Sequence, residues 1–342
     1  MANKDLLFMK RALRLARLGL GKVAPNPMVG CVIVKNEKII GEGFHQAFGS
    51  AHAEVNAIKN ASTKIAGSTV YVTLEPCAHY GKTPPCTDLL IAQKVAKVVV
   101  ALQDPFAAVN GAGIQCLKEA GIQVEINCMQ EEGHHINRRF LTSVSKGKPY
   151  IILKWAQTQD HFIAENDFNS KWISNSLSRQ LVHKWRSEEE GILVGYNTAK
   201  YDNPELSTRN WQGPSSIRIV IDPKNELNET LHLFDGKQAT IVFTQFPKKN
   251  KKNLTYYYLD SKDPISTILD RLHQLKMQSL LVEGGAQTIK KFIDLNLWDE
   301  ARVFTCPQKF FNGIRAPIIE ALPDHHSQVS NDILTTYYNE HK

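Results

Sequence analysis

His52 and Glu54 stand two residues apart, and Cys77 and Cys86 follow them, each directly after a proline. One imidazole and two thiols make an N/S/S donor set that a borderline-soft cation such as zinc accepts. Three protein ligands leave its fourth tetrahedral position open to water. Zinc brings the pKa of such a water down to roughly 7, so a nucleophile exists at neutral pH. Glu54 is then free to move protons between that water and a leaving group. Two arrangements compete with this one: a closed structural site, with His79 as the candidate fourth ligand, and a pair of buried core thiols. Proline favours the first turn of a helix, and a helix N-terminus favours the thiolate that binds metal. Cys86 is therefore expected at the start of a helix.

The order His-x-Glu followed by Pro-Cys-x-x-Cys is the signature of zinc-dependent deaminases. This chain departs from it in one respect, because eight residues rather than two separate Cys77 from Cys86.

The elements that must position these groups are readable from apolar runs. Leu6, Met9, Leu13, Ala16 and Leu20 fall at helical spacing, predicting an amphipathic first helix on the core. Lys10, Arg11, Arg14 and Arg17 interrupt its apolar stretch, which excludes a signal-peptide core. Residues 29–34 and 39–44, around a polar turn at 35–38, predict a hairpin. Helices are expected over 51–60, 87–94 and 113–120, and strands over 69–74, 95–102 and 123–127. Residues 143–149, with Lys146-Gly147-Lys148-Pro149, predict a linker and hence two domains, 1–147 and 148–342. In the second half, strands are expected over 150–156, 191–195, 217–221, 239–243 and 279–282. Helices are expected there over 178–186, 264–275 and 286–294. Alternating strands and helices predict α/β sheets covered on their faces.

Composition sets the outer bounds. A length of 342 residues accommodates two domains of the usual size, roughly 100–200 residues each. With 42% hydrophobic and 22% charged residues the chain is globular rather than disordered. Its net charge of +7 suits a phosphate-bearing substrate, while no dense Lys/Arg tract interleaved with aromatics marks a nucleic-acid groove. The run Lys248-Lys249-Asn250-Lys251-Lys252 is expected to be a solvated loop. Six cysteines at this length form no disulfide framework, which points to a reducing, cytoplasmic setting. No apolar run approaches the roughly 20 residues of a membrane span.

Several motifs then occur in one order: Asn26-Pro27-Met28-Val29-Gly30-Cys31, His52-Ala53-Glu54, Thr73-Leu74-Glu75-Pro76-Cys77 and His79-Tyr80-Gly81-Lys82-Thr83-Pro84-Pro85-Cys86. Trp172-Ile173-Ser174, Arg186, Gly195, Thr198, Asp202-Asn203-Pro204, Arg209, Ile219-Val220-Ile221-Asp222 and Val282-Glu283-Gly284-Gly285 follow. Through these the chain resembles, over essentially its whole length, the bifunctional deaminase/reductase family of riboflavin biosynthesis. The wide cysteine spacing belongs to that resemblance.

The resemblance implies a cytidine-deaminase-like three-layer domain followed by a dihydrofolate-reductase-like α/β domain. No Gly-x-Gly-x-x-Gly follows an early strand, which agrees with the second. It implies zinc on His52, Cys77 and Cys86, with Glu54 as proton donor. The first domain would deaminate 2,5-diamino-6-(5-phosphoribosylamino)pyrimidin-4(3H)-one, and the second would reduce the ribosyl to a ribityl chain with NADPH. Asn26, His45, Lys82 and Asp104 are implied on the first substrate. Ser170, Arg186, Leu206, Arg209 and Glu283 are implied on the second, the two arginines gripping a sugar phosphate by bidentate hydrogen bonds. NADPH is implied on Ala156, Trp172, Thr198, Asp202, Gly285, Ala286, Gln287, Thr288, Ile289, Lys290 and Lys291. A helix opening at Gly284-Gly285 can bring backbone N–H groups to a dinucleotide phosphate.

Two departures stand out. Pro105-Phe106 replaces a common Pro-Asn, and Thr158-Gln159-Asp160-His161 replaces Ser-Leu-Asp-Gly, where His161 must adopt the left-handed turn that glycine tolerates. The competing function is a nucleobase or nucleic-acid deaminase with an appended non-catalytic nucleotide-binding domain. A non-enzymatic alternative makes the zinc structural and the second half a nucleotide sensor. The expected partner is a small-molecule phosphoribosyl-pyrimidine, with no nucleic acid or membrane partner. A homo-oligomer is left open.

Overall fold

The computed structural model describes residues 3–80, 84–105, 110–166 and 173–339. Of the expected site residues, Lys82, Ser170 and Trp172 lie outside the described residues. The chain forms two compact units, Met1–Gly147 and Lys148–Lys342.

In the first unit the elements run α1 (Asn3–Ala16), β1 (Gly30–Lys35), β2 (Lys38–Phe44), α2 (Ala53–Lys59) and β3 (Thr69–Val72). They continue as α3 (Cys86–Ala92), β4 (Lys97–Val100), α4 (Ala112–Glu119), β5 (Gln123–Glu125) and α5 (Gln130–Lys146). The five strands form one sheet in the order β2-β1-β3-β4-β5. The expected hairpin pairs β1 with β2 antiparallel, whereas β3, β4 and β5 run parallel. One core packs α1 and Ile136 of α5 on the sheet through Met9, Ala12, Leu13, Val32 and Val99. A second packs α2, α3 and α4 on the opposite face through Ala57, Leu90, Leu117, Ile33 and Val98. The result is three layers.

Two expectations shift here. Leu6 is 40% exposed while Asp5 is buried, because the Asp5 carboxylate accepts the Tyr71 hydroxyl at 2.7 Å. The apolar stripe of α1 therefore runs through Phe8, Met9, Ala12 and Leu13. Residues 143–146, expected as linker, are the last turn of α5, an amphipathic helix that the apolar runs did not reveal. The helix stops at Gly147, whose φ of 64° is the left-handed cap glycine favours.

The second unit contains β6 (Tyr150–Thr158), β7 (Phe162–Ala164), α6 (Ser176–Glu188), β8 (Gly191–Gly195), α7 (Tyr196–Asp202), β9 (Ile217–Ile221), β10 (Thr240–Thr244) and β11 (Leu254–Tyr258). After these come α8 (Pro264–Gln274), β12 (Ser279–Gly284), α9 (Ala286–Asp294), β13 (Glu300–Cys306), β14 (Ile314–Arg315), β15 (His325–Val329) and β16 (Asp332–Tyr338). Nine strands form a sheet in the order β11-β10-β9-β8-β12-β6-β13-β16-β15. All neighbours from β11 to β13 are parallel, and β13, β16 and β15 pair antiparallel. The strands buried on both faces read as continuous apolar runs, which is why β6, β8, β9 and β12 were visible in the sequence. Asn175 caps α6 by accepting from Ser178 N at 2.9 Å, and Asp263 caps α8 by accepting from Ser266 N at 3.2 Å.

Apolar patterning missed β7, β11 and β13 to β16, and of these β13 is the informative case. It lies inside the sheet, yet Glu300 and Arg302 interrupt it. They point to the same face and pair at 2.7 Å, and the Arg302 guanidinium lies 4.6 Å over the Trp185 ring. At the end of β6 the unusual turn persists: His161 has φ of 64°, and Asp160 accepts from Phe310 N and Phe311 N at 3.2 and 2.7 Å.

Leu153 of β6 is fully buried in the larger core. Leu153→Ala should cost about 2–5 kcal/mol in denaturant unfolding of the second unit. Leu7→Ala, at a 64% exposed side chain, should stay within about 0.5 kcal/mol.

Candidate active sites

Two helix starts build the first site. His52 immediately precedes α2 in extended conformation, its carbonyl accepting Asn56 N at 3.1 Å, and Glu54 occupies the first turn. Cys77 follows the end of β3, and Cys86 opens α3 after Pro85, as expected. The segment between them is closed by Thr87, whose N and Oγ1 both donate to the Cys77 carbonyl at 3.2 Å. The ligand atoms of His52, Cys77 and Cys86 all lie within 4.8 Å of one another. His52 Nδ1 is 3.3 Å from Cys86 Sγ and 3.6 Å from Cys77 Sγ. Zinc bonds of about 2.0–2.3 Å in a tetrahedron hold N and S roughly 3.5 Å apart, so the cluster fits that ion. His79 is exposed and is not grouped with these three. That disfavours the closed four-ligand arrangement.

Glu54 is buried at 3% exposure, and burial raises its carboxyl above the ordinary range. Hydrogen bonds from Cys86 and from His52 favour the thiolate at Cys77 and outweigh its burial, while the Cys86 thiol is pushed up. His45 is buried behind His52, with ring centroids 5.9 Å apart. Its Nδ1 lies 3.1 Å from the Ala51 carbonyl and must donate to it. Its Nε2 is therefore the acceptor for Asn26 Nδ2 at 3.0 Å. Both ring nitrogens are thus occupied, and the His45 ring fixes which way the Asn26 amide faces. The Asn26 loop is held from below by Asn137, which donates to the Met28 carbonyl at 3.0 Å and accepts Met28 N at 2.8 Å. Asp104 is buried, and its N–H donates to Glu75 at 3.2 Å. Asn137 was not singled out from sequence and Glu75 entered only within the Thr73–Cys77 motif, since nothing marked either as polar and buried.

In the second unit, a cavity of about 1180 Å³ opens at the C-terminal ends of parallel strands, where Ala156, Gly195, Ile221 and Gly284 stand. Ligands bind there in open α/β sheets. Its lining gathers Ala156, Thr198, Asp202, Gly285, Ala286, Gln287, Thr288, Ile289 and Lys291 with Arg186, Leu206, Arg209 and Glu283. Lys290 is not in the lining; its ammonium pairs with Asp294 at 2.6 Å on the exposed face of α9. Gly195 lets β8 approach α9, because a Cβ there would meet Thr288 Oγ1 at 2.3 Å. Gly285 precedes α9 without a side-chain cap, so the first amides of that helix are left to a ligand.

Arg186 differs from expectation. Its Nε and Nη2 already bind Glu283 at 2.8 and 2.7 Å, and its Nη1 donates to the Ser207 carbonyl at 3.3 Å. The fork expected to grip a phosphate is occupied, because the buried Glu283 carboxylate requires a cation. Lys154, absent from the sequence reading, lies 3.6 Å from the same carboxylate. A lone lysine within the apolar β6 was the signal for it. Burial would raise the Glu283 carboxyl, but the charges of Arg186 and Lys154 override burial and hold it down to about 2. Burial lowers the Lys154 ammonium, with Glu283 opposing. Arg209 is exposed and pairs with Glu205 at 3.3 Å.

Residues 2–102 match the cytidine and deoxycytidylate deaminase zinc-binding region, and residues 149–316 match the RibD C-terminal domain. The riboflavin biosynthesis protein RibD of Aquifex aeolicus is 39% identical over 91% of this chain and 89% of its own length. That of Bacillus amyloliquefaciens is 37% identical over 88% of this chain and 84% of its own. The crystal structure of a Thermotoga maritima diaminohydroxyphosphoribosylaminopyrimidine deaminase/5-amino-6-(5-phosphoribosylamino)uracil reductase superposes with a TM-score of 0.90 at 35% identity, covering 97% of this chain and 98% of that one. The architecture is accordingly a cytidine-deaminase-like domain followed by a dihydrofolate-reductase-like one.

The Glu283 carboxyl lies below the ordinary value of about 4.3. Its ionised form therefore stabilises the fold above that pH, and the contribution is lost as pH falls toward 2. Glu283→Gln should lower stability at pH 7 and flatten the decline between about pH 4.3 and 2, read by urea unfolding at each pH.

Proposed function

The chain belongs to the RibD family of riboflavin biosynthesis proteins, a bifunctional deaminase and reductase family, and from that premise we propose which residues carry its two activities. In the unit 1–147, His52, Cys77 and Cys86 hold zinc, and Glu54 serves as the proton carrier. The observation that carries this reading is the N/S/S cluster within 4.8 Å with a buried carboxylate two residues from its imidazole. Bound zinc supplies Lewis acidity, which brings the pKa of a water molecule down to roughly 7.

Glu54 takes the proton that the attacking water releases and returns it to the departing nitrogen, so that ammonia leaves as a neutral molecule. Asn26, oriented by His45, presents amide groups to the pyrimidine edge, and Asp104 offers a second polar contact. Lys82 attracts the substrate phosphate as a point charge.

In the unit 148–342, the cavity would hold NADPH and the deaminated phosphoribosylaminopyrimidine. Ala156, Thr198, Asp202 and the start of α9, from Gly285 to Thr288, line the cofactor side. NADPH supplies the hydride that turns the ribosyl group into a ribityl chain. That change also requires a proton at the sugar oxygen, and Lys154, a cavity-lining ammonium whose burial lowers its pKa, provides it. Glu283 keeps Lys154 and Arg186 in place, leaving Arg209 as the more accessible guanidinium for phosphate.

A nucleobase or nucleic-acid deaminase with a non-catalytic appendage is not favoured, because the family match continues through residues 149–316. No helix among the described residues is long and apolar enough to cross a membrane, and all six cysteines are free thiols. The cytoplasm, where thiols stay reduced, suits a zinc site built on two of them.

Glu54→Gln should retain zinc by metal analysis yet lose about 10²–10⁴-fold or more in ammonia release. Near-normal turnover would refute its role. In the coupled assay, NADPH oxidation should appear only with the deaminated product and should fall at least about 10²-fold in Lys154→Met. Accumulation of unreduced product with ample NADPH would refute the reductase assignment.

A further inference from the structure

Glu75 has no part in the chemistry described so far, yet four backbone amides converge on its carboxylate. Oε2 accepts from Asp104 N at 3.2 Å and Gly111 N at 3.0 Å. Oε1 accepts from Gly113 N at 2.9 Å and Ile114 N at 3.2 Å. The side chain is 4% exposed, and no cation pairs with it among the described residues. An anion buried in this way is tolerated because amide donors replace its water.

Two of those donors are the second and third amides of α4, which no carbonyl within the helix can satisfy. An ordinary N-cap residue would meet them with its own side chain. Here the cap is Gly111, which has none, and Glu75 fills that place from 36 residues earlier in the chain. The approach is close: a Cβ on Gly113 would meet the Pro76 carbonyl at 2.0 Å. Glu75 also donates its own N–H to the Leu102 carbonyl at 2.9 Å.

One side chain thus joins three things: the strand end that leads through Pro76 to Cys77, the residue Asp104, and the start of α4. We propose that Glu75 is a positioning residue of the deamination site, setting Asp104 against the strand end that carries Cys77. This rests on the assignment of Cys77 to zinc and of Asp104 to the substrate. Glu75 touches neither; it acts through the backbone amides it gathers.

The test is Glu75→Gln in the full-length chain. The amide keeps one acceptor oxygen and turns a donor toward two of the four N–H groups. Zinc content and the NADPH-dependent reductase kinetics should equal those of the wild-type chain. KM for the diaminopyrimidinone phosphate should rise at least about tenfold, with kcat changed less. The amides of Asp104, Gly111, Gly113 and Ile114 should exchange with deuterium at least about tenfold faster, while those of β1, β3 and β4 keep their rates. Unchanged deaminase kinetics would overturn the proposal. So would a loss accompanied by uniformly faster exchange across the first unit, or by loss of zinc, since either marks a general structural role. A wild-type chain that releases no ammonia would instead refute the deaminase reading, before any variant is compared.

Discussion

A carboxylate taken out of water destabilises the fold by several kcal/mol unless donors or cations meet it, and each unit places one where a parallel strand ends. In the first, Glu75 lies just beyond β3 and is met by four amides. In the second, Glu283 lies at the end of β12 and is met by Arg186 and Lys154. The neighbouring residues are arranged by these demands. The amides that satisfy Glu75 start α4 and fix Asp104, and the cations that satisfy Glu283 form one wall of the large cavity. The parallel sheet brings this about, because successive strands deliver their C-terminal ends, and the helix starts that follow, to one edge.

The His52–Cys77–Cys86 cluster uses the same edge with different groups. His52 and Cys86 stand at the starts of α2 and α3, and Cys77 lies beyond β3. The helix start at Cys86 turns its unpaired amide onto the Cys77 sulfur at 3.4 Å, which favours the thiolate at Cys77. Glu54, two residues past His52, enters the interior in the first turn of α2. Thr87 ties the start of α3 back to the Cys77 carbonyl, so the wide Cys77–Cys86 spacing does not spread the three donor atoms.

Much of the fold was legible because doubly covered strands must be mostly apolar, and β6, β8, β9 and β12 are so apart from isolated charges such as Lys154 and Arg218. What escaped has definite causes. β13 carries Glu300 and Arg302, which neutralise each other inside the sheet, so its pattern reads as polar. The register of α1 was misplaced by one side chain, since Asp5 is drawn inward by the Tyr71 hydroxyl and Leu6 is left outside. α5 absorbed residues expected as linker. His161, in contrast, shows the left-handed turn expected of it, which histidine tolerates better than bulkier residues.

The sequence by itself determined the donor chemistry: which side chains can bind a soft cation, which carboxylate stands beside them, and which strand ends carry glycine for close backbone approach. Those properties depend on residue type and on neighbours a few positions away. Only the tertiary structure decided who partners whom. Arg186 and Glu283 are 97 residues apart, Asn137 and Met28 are 109, and Glu75 reaches amides up to 39 residues on. Each pairing took a group that looked free for a ligand, or unremarkable, and committed it to another part of the chain. A buried polar group takes whichever partner folding brings within hydrogen-bond reach, and that is set by the packing of distant strands rather than by spacing along the chain.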